Sequence, residues 1–386
     1  MTHEMVMNRI RGSLIGGAVG DALGYEIEFD READIFYRFG KNGITEYVLN
    51  RATGTAIVSD DTQMTLFTAN GILYEETRRY TSEGYRGWAY GVCDAYADWL
   101  LTQAVDFEES DRFIRVASWL CDVPELFQRR APGNTCLMSM KERIKQGGHL
   151  QYPKEGYIAS VINDSKGCGG VMRAAPVGLC RSDKTLDDIA VEGAEIAAIT
   201  HNHPLGYLPA AVLAHIVRQL TYAEQKPSLR AVVEQAITDM ERIFAGTPYL
   251  DTFSQLLKKA VAFAYNNADD LTNIHQLGEG WVGDEALAIA IYCCLRHEDD
   301  FSACIISSVN HNGDSDSTGA IAGNILGALV GYEAIESKWK QHLELSDVIL
   351  EIADDLSAGK PAVQDGHITD QRWYQKYVQK TYPASV

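Results

Sequence analysis

The sequence predicts an all-α protein. Apolar residues recur at i, i+3 and i+4 in most of the long segments. Those segments are rich in Ala and Leu rather than Val, Ile and Thr, and strand-like alternation is scarce. In chain order the periodicity predicts helices over 6–23, 62–74, 186–199, 205–220, 229–244, 253–265, 284–295 and 318–330. The pair Asp60-Asp61 ahead of the second helix suits an N-terminal cap. Pro204 fits the first position of the helix over 205–220, and Ser228 the cap of the helix over 229–244. Gly16, Gly20 and Gly24 share one helix face, and so do Gly319, Gly323 and Gly327. Glycine weakens a helix by about 0.5–1 kcal/mol per position, so two such stripes predict close helix–helix approach.

No stretch of the 386 residues reads as a linker, so a single domain over 1–386 is expected. The motifs discussed below occupy about 8–332, leaving 333–386 as a C-terminal helical extension. The aromatic segment Trp373-Tyr374-Gln375-Lys376-Tyr377 is expected to pack on that domain. With 46% hydrophobic and 23% charged residues, the composition is that of a soluble globular protein. The net charge of −19 repels phosphate backbones and argues against a nucleic-acid partner. The longest apolar run, 286–295, is too short to span a membrane. The eight cysteines show no C-x-x-C spacing, and residues 1–11 contain no signal-peptide core. A cytoplasmic protein with free thiols is expected.

Two acidic clusters lie about two-thirds of the chain apart: Ser59-Asp60-Asp61-Thr62 and Gly313-Asp314-Ser315-Asp316-Ser317-Thr318. Each precedes a predicted helix, so each is open to two readings, a helix cap or a cation site. An EF-hand beginning at Asp314 would need glutamate at its twelfth position, which is Ile325. Four carboxylates flanked by hydroxyls, with no thiol or imidazole at matching spacing, form an oxygen-only donor set that favours Mg²⁺ or Mn²⁺ over Zn²⁺. Without cations, four such groups brought together would repel or take up protons. Ser165-Lys166-Gly167-Cys168-Gly169-Gly170-Val171-Met172-Arg173 is either a flexible turn or a backbone cradle for phosphate, to which Arg173 could add charge. Thr200-His201-Asn202-His203 is a weak zinc signal, and either histidine could instead contact a polar ligand or serve the structure. Gly133-Asn134-Thr135 and Gly278-Glu279-Gly280-Trp281 read as glycine turns, with Trp281 able to stack on a base.

Taken together, Gly20-Asp21-Ala22-Leu23-Gly24 with Glu28, Ser59-Asp60-Asp61-Thr62, Cys168-Gly169-Gly170-Val171-Met172-Arg173, Thr200-His201 and Gly313 to Gly319 resemble the ADP-ribosylglycohydrolase family. The resemblance implies a compact orthogonal helical bundle around a central dinuclear Mg²⁺ site. It implies metal ligation by Ser59, Asp60, Asp61, Asp314, Asp316 and Ser317. It implies catalytic roles for Asp61 and Glu28. It implies substrate contacts at Asn134, Thr135, Ser165, Gly167, Gly169, Gly170, Met172 and His201, with the diphosphate on the 165–170 loop.

Ser59, Ser317 and the run from Thr200 to Leu208 look most like the ADP-ribosylarginine hydrolases. The implied activity is hydrolysis of the N-glycosidic bond between ADP-ribose and a protein arginine, reversing mono-ADP-ribosylation. Two alternatives stand beside it: another ADP-ribosyl acceptor, such as serine, a nucleic-acid base or a small metabolite, or an immunity-type protein that blocks an ADP-ribosylating toxin. The complete carboxylate set argues against a purely binding role.

Overall fold

The computed structural model describes residues 2–144 and 150–383. The rest of the expected 1–386 unit, residues 1, 145–149 and 384–386, lies outside the described residues. The chain runs through α1 (His3–Tyr25), α2 (Glu32–Phe39), α3 (Asp60–Arg78), α4 (Trp88–Thr102), α5 (Asn134–Arg143), α6 (Ala175–Leu179), α7 (Leu186–Ala198) and α8 (Pro204–Tyr222). It continues through α9 (Leu229–Ile243), α10 (Leu250–Phe263), α11 (Asp270–Leu277), α12 (Gly283–Arg296), α13 (Phe301–Val309) and α14 (Ser315–Val330). The C-terminal part holds α15 (Ser337–Lys340), α16 (Ser346–Ala358), the strand pair β1 (Val363–Gln364) and β2 (His367–Ile368), and α17 (Gln371–Tyr374).

All eight expected helices are present, with ends shifted by a few residues. The extension differs from a purely helical one, because β1 and β2 pair antiparallel about Asp365-Gly366. Both residues have positive φ, 50° and 80°. That is the backbone of a tight hairpin, for which Asp-Gly is well suited.

The glycine stripes meet. A Cβ on Gly12, Gly16, Gly20 or Gly24 would collide with the backbone at Gly327, Gly323, Gly319 and Ser315 respectively. One register rises as the other falls, so α1 and α14 run antiparallel in direct backbone contact. Glycine here exchanges helix propensity for separation. The contact brings the C-terminal end of α1 beside the N-terminal end of α14. Around this pair, α7 packs on α8, α3 on α4 and α16 on α1. The tail closes over the far end of α3. Trp373 and Tyr377 are buried. The Trp373 indole donates to Thr77 Oγ1 at 2.7 Å, and Tyr382 stacks on Trp119 at 5.0 Å.

Candidate active site

Several helix starts open onto one cavity of about 220 Å³. Its wall includes Glu28 just past α1, Asp60 and Asp61 in the first turn of α3, and Asn134 and Thr135 at the start of α5. Gly167, Cys168, Gly169 and Met172, His201 between α7 and α8, and Asp314, Asp316 and Ser317 at the start of α14 complete most of it. The two acidic clusters therefore face each other across a shared space. Helix N-termini suit this concentration of negative charge, because their free N–H groups and dipoles point toward it.

The local hydrogen bonds explain how each carboxylate is presented. Ser59, not the following Asp pair, caps α3: its hydroxyl accepts from Asp61 N at 3.1 Å. Asp60 and Asp61 already belong to the helix, which leaves their side chains free of capping. Ser59 also donates to Asp61 Oδ2 at 3.3 Å, and it sits fully buried behind the cavity wall. Asp21 accepts from Ser59 N and Thr62 N at 2.9 and 3.0 Å, clamping the start of α3 onto α1. In the second cluster the cap is Asp314 rather than Asp316 or Ser317, accepting from Ser317 N at 3.3 Å.

Burial and mutual repulsion act strongly on these groups. Burial first, then Asp314, Asp60 and Asp21, pushes the Glu28 carboxyl up to about 9. Asp60, Asp61 and Asp316 are likewise held well above the usual carboxylate range, by burial before their acidic neighbours. Burial lifts Asp21 to about 6. Burial and like charge both oppose ionisation of these groups, and nearby positive charge would favour it.

Two oxygens in the cluster, Glu28 Oε2 and Asp61 Oδ1, are buried without a hydrogen-bond partner. Orphaned carboxylate oxygens facing a shared cavity fit a hard cation. Among the described residues, however, no three His, Cys, Asp or Glu side chains converge on one point where a cation would sit. The carboxylates line the cavity rather than forming a closed cage. The fold also adds a thiol that sequence spacing did not reveal: Cys168 Sγ donates to Asp314 Oδ2 at 2.7 Å. Burial and the acidic neighbours hold that thiol well above its ordinary value, so it stays a neutral hydrogen-bond donor to Asp314 rather than a thiolate ligand.

On the opposite wall, Cys168–Gly170 forms one tight helical turn rather than a flexible loop. A Cβ on Gly169 would stand 2.9 Å from His201 Cε1, and one on Gly167 would stand 3.3 Å from His201 Nε2. Bare backbone is what allows the imidazole to reach the cavity. Gly170 lies outside the cavity wall, where a Cβ would meet the Gly206 carbonyl oxygen at 2.5 Å. Ser165 also stays behind the wall, bonded to Thr135 Oγ1 at 3.1 Å. Asn134 and Thr135 open a helix rather than a plain turn.

Arg173, expected to add charge for a phosphate, is fully buried behind the cavity and stacks on Tyr96 at 4.5 Å. Its guanidinium donates to Thr200 Oγ1, and Thr200 Oγ1 lies 2.8 Å from His201 Nδ1. Arginine can only donate, so Thr200 Oγ1 accepts from Arg173 and retains its own proton, which suits donation to Nδ1. Burial, then Arg173, holds His201 down at about 3, so the ring is neutral and its proton sits on Nε2. His201 thus offers an N–H donor toward the glycine turn. His203 is no zinc partner: its ring caps α8, accepting from Leu205 N at 3.0 Å.

Comparison with known proteins identifies the family and the fold. The ADP-ribosylglycohydrolase family model matches residues 2–365, and the chain belongs to that family. An ADP-ribosyl-dinitrogen reductase glycohydrolase of Rhodospirillum rubrum is 25% identical over 354 residues, covering 89% of this chain and 93% of that protein. ADP-ribosylhydrolase ARH3 of Gallus gallus is 29% identical over 213 residues, covering 50% of this chain and 57% of that protein. A solved structure described as an ADP-ribosylglycohydrolase-related protein complex shares the fold, with a TM-score of 0.60 and 21% identity over 92% of this chain and 99% of that one. No helix among the described residues is long and apolar enough to cross a membrane.

Proposed function

We propose that this protein releases ADP-ribose from ADP-ribosylated arginine on proteins by hydrolysing the N-glycosidic bond, with two divalent cations, Mg²⁺ or Mn²⁺, as cofactors. The observation that carries this reading is the meeting of Asp60, Asp61, Asp314 and Asp316 around one cavity that the glycine turn and His201 also line. The choice of arginine rests on Ser59, Ser317 and the Thr200–Leu208 run, which look like the arginine-specific members of the family.

Asp60, Asp61, Asp314, Asp316 and the Ser317 hydroxyl are the groups that would hold the cations. Bound there, divalent cations supply orientation of ribose hydroxyls and a lowered pKa for attacking water. Asp61 accepts the water proton in this reading, which the unpartnered Oδ1 supports. Glu28, which lines the same cavity, gives a proton to the departing nitrogen in this reading. His201 Nε2 and the bare backbone at Gly169 bind and orient the diphosphate end. Remote binding of that end positions the anomeric carbon for a transition state with oxocarbenium character.

The test is ADP-ribose release from an arginine-ADP-ribosylated protein, with Mg²⁺ and with chelator, beside Asp61→Ala and Asp316→Ala. Release that requires metal and is lost in both variants is expected. Release that persists in chelator would overturn the proposal.

A further inference from the structure

Two aromatic rings at the cavity mouth have no part in the chemistry so far. Phe29, next to Glu28, is 73% exposed, and Trp281, on the cavity wall, is 41% exposed. Their rings are nearly parallel, at 18°, with centroids 6.3 Å apart. The two form an offset stacked pair, and their exposure leaves aromatic surface open to a ligand.

Both rings are held from behind. The Trp281 carbonyl accepts from Cys168 N at 3.2 Å, and Val282 bridges to Gly167. The preceding Glu279 and Gly280 amides donate to the Glu285 carboxylate at 2.9 and 3.3 Å. Glu279 also accepts from Asp314 N at 2.9 Å, which ties the loop to the acidic start of α14. On the other side, Ile27 is buried, and Arg38 bonds to Glu26 and Asp30 across the turn that carries Phe29. The pair therefore stands where the acidic start of α14 meets the Gly167–Cys168 turn, with Glu28 next to Phe29 and Asp314 tied to the loop that carries Trp281.

A flat cation suits this position. Guanidinium stacks on aromatic faces while its edge stays free for hydrogen bonds, and surrounding carboxylates favour its charge. A serine acceptor offers neither a flat face nor a charge. The geometry points to Phe29 and Trp281 as the platform that holds the arginine side chain of the substrate as it leaves, and so as determinants of acceptor specificity. This assignment rests on the arginine reading above.

The test compares Phe29→Leu, Trp281→Leu and the aromatic exchange Trp281→Phe with the unaltered protein. Each is assayed on an ADP-ribosylarginine conjugate and an ADP-ribosylserine peptide, and titrated with free ADP-ribose. Expected is a fall of about tenfold in kcat/KM on the arginine conjugate for the two leucine variants. Trp281→Phe should recover most of the loss, and free ADP-ribose affinity should not change. An unaltered affinity also shows that the variants fold. If the unaltered protein cleaves the arginine conjugate and the leucine variants match it, the platform is wrong and the proposed function stands. A parallel loss of free ADP-ribose affinity would assign the rings to the nucleotide instead, again overturning the platform alone. An unaltered protein that binds ADP-ribose but leaves the arginine conjugate intact would overturn both.

Discussion

At the scale of single residues, the site is a place where stability is given up for chemistry. Asp316 is buried among Asp61, Asp314 and Glu28, and repulsion adds to burial in holding its carboxyl well above the usual carboxylate range. Asp316→Asn relieves that repulsion and, on the proposed function, removes a cation donor. Its activity should fall at least about a hundredfold, while its melting temperature in chelator equals or exceeds that of the unaltered protein. Thermal unfolding beside an ADP-ribose release assay reads both. The relay from Arg173 through Thr200 to His201 gives a second expectation. Thr200→Val keeps the shape but leaves a buried Arg173 donor unpaired, which costs about 1–3 kcal/mol. The His201 proton is then free to move between nitrogens, and ADP-ribose affinity should drop several-fold. Nitrogen NMR of the imidazole, before and after substitution, reports the tautomer directly. This relay was invisible in the sequence. Arg173 follows a glycine loop and reads naturally as a phosphate ligand, and only the packed core shows that it points away. The carboxylates were legible because four acids beside apolar helices have few other uses. Cys168 was not, since its partner Asp314 lies far along the chain.

At the scale of elements, the α1–α14 contact sets the site. Gly20→Ala places a methyl against the Gly319 carbonyl. Backbone cannot yield as a flexible side chain does, so stability should fall by about 3 kcal/mol. Activity should fall with it, because the same contact holds Glu28 near Asp314 and Asp316. Denaturant titration of Gly20→Ala checks the first, and activity measured well below the melting temperature checks the second. The stripes were visible as spacing, and their partnership follows from both helices needing a bare neighbour. Helices with a clear apolar face or Ala-rich run, such as α9 and α12, were equally legible. α4 was not: Trp88, Tyr96 and Trp99 break up its Ala/Leu signal, although all three are fully buried. The hairpin at 363–368 was missed because each strand is two residues long, too short for alternation to register.

At the scale of the whole molecule, two expectations concern folding. Ligands that bind only the folded state stabilise it by mass action, by about 3 kcal/mol at a hundred times the dissociation constant. Mg²⁺ should therefore raise the melting temperature, and Asp60→Ala with Asp316→Ala should abolish that rise. Away from the site, Asp98 accepts from the amides of Val116, Ala117 and Ser118 at 2.8, 2.7 and 2.8 Å, which fixes the segment ahead of Trp119. Burial nevertheless lifts its carboxyl from 3.8 to about 6. The folded state then holds the proton more tightly than the unfolded chain, so this contribution is full below pH 4 and is lost as pH rises through 6. The stability of the unaltered protein relative to Asp98→Asn should decline by about 3 kcal/mol between those limits. Urea titrations at pH 4, 5, 6 and 7 would show the slope, and a constant difference would contradict it.

The bare faces of α1 and α14 also bear on how the protein is made. Tyr25 and Ser315 are separated by 290 residues, so α1 leaves the ribosome long before the helix it must touch. At about 5–20 residues per second, the wait is about 15–60 s. Throughout it, a glycine-weakened helix with an apolar surface has no neighbour to stabilise it. Biogenesis should therefore depend on factors that shield nascent chains, and fragments ending before α14 should contain no assembled carboxylate cluster.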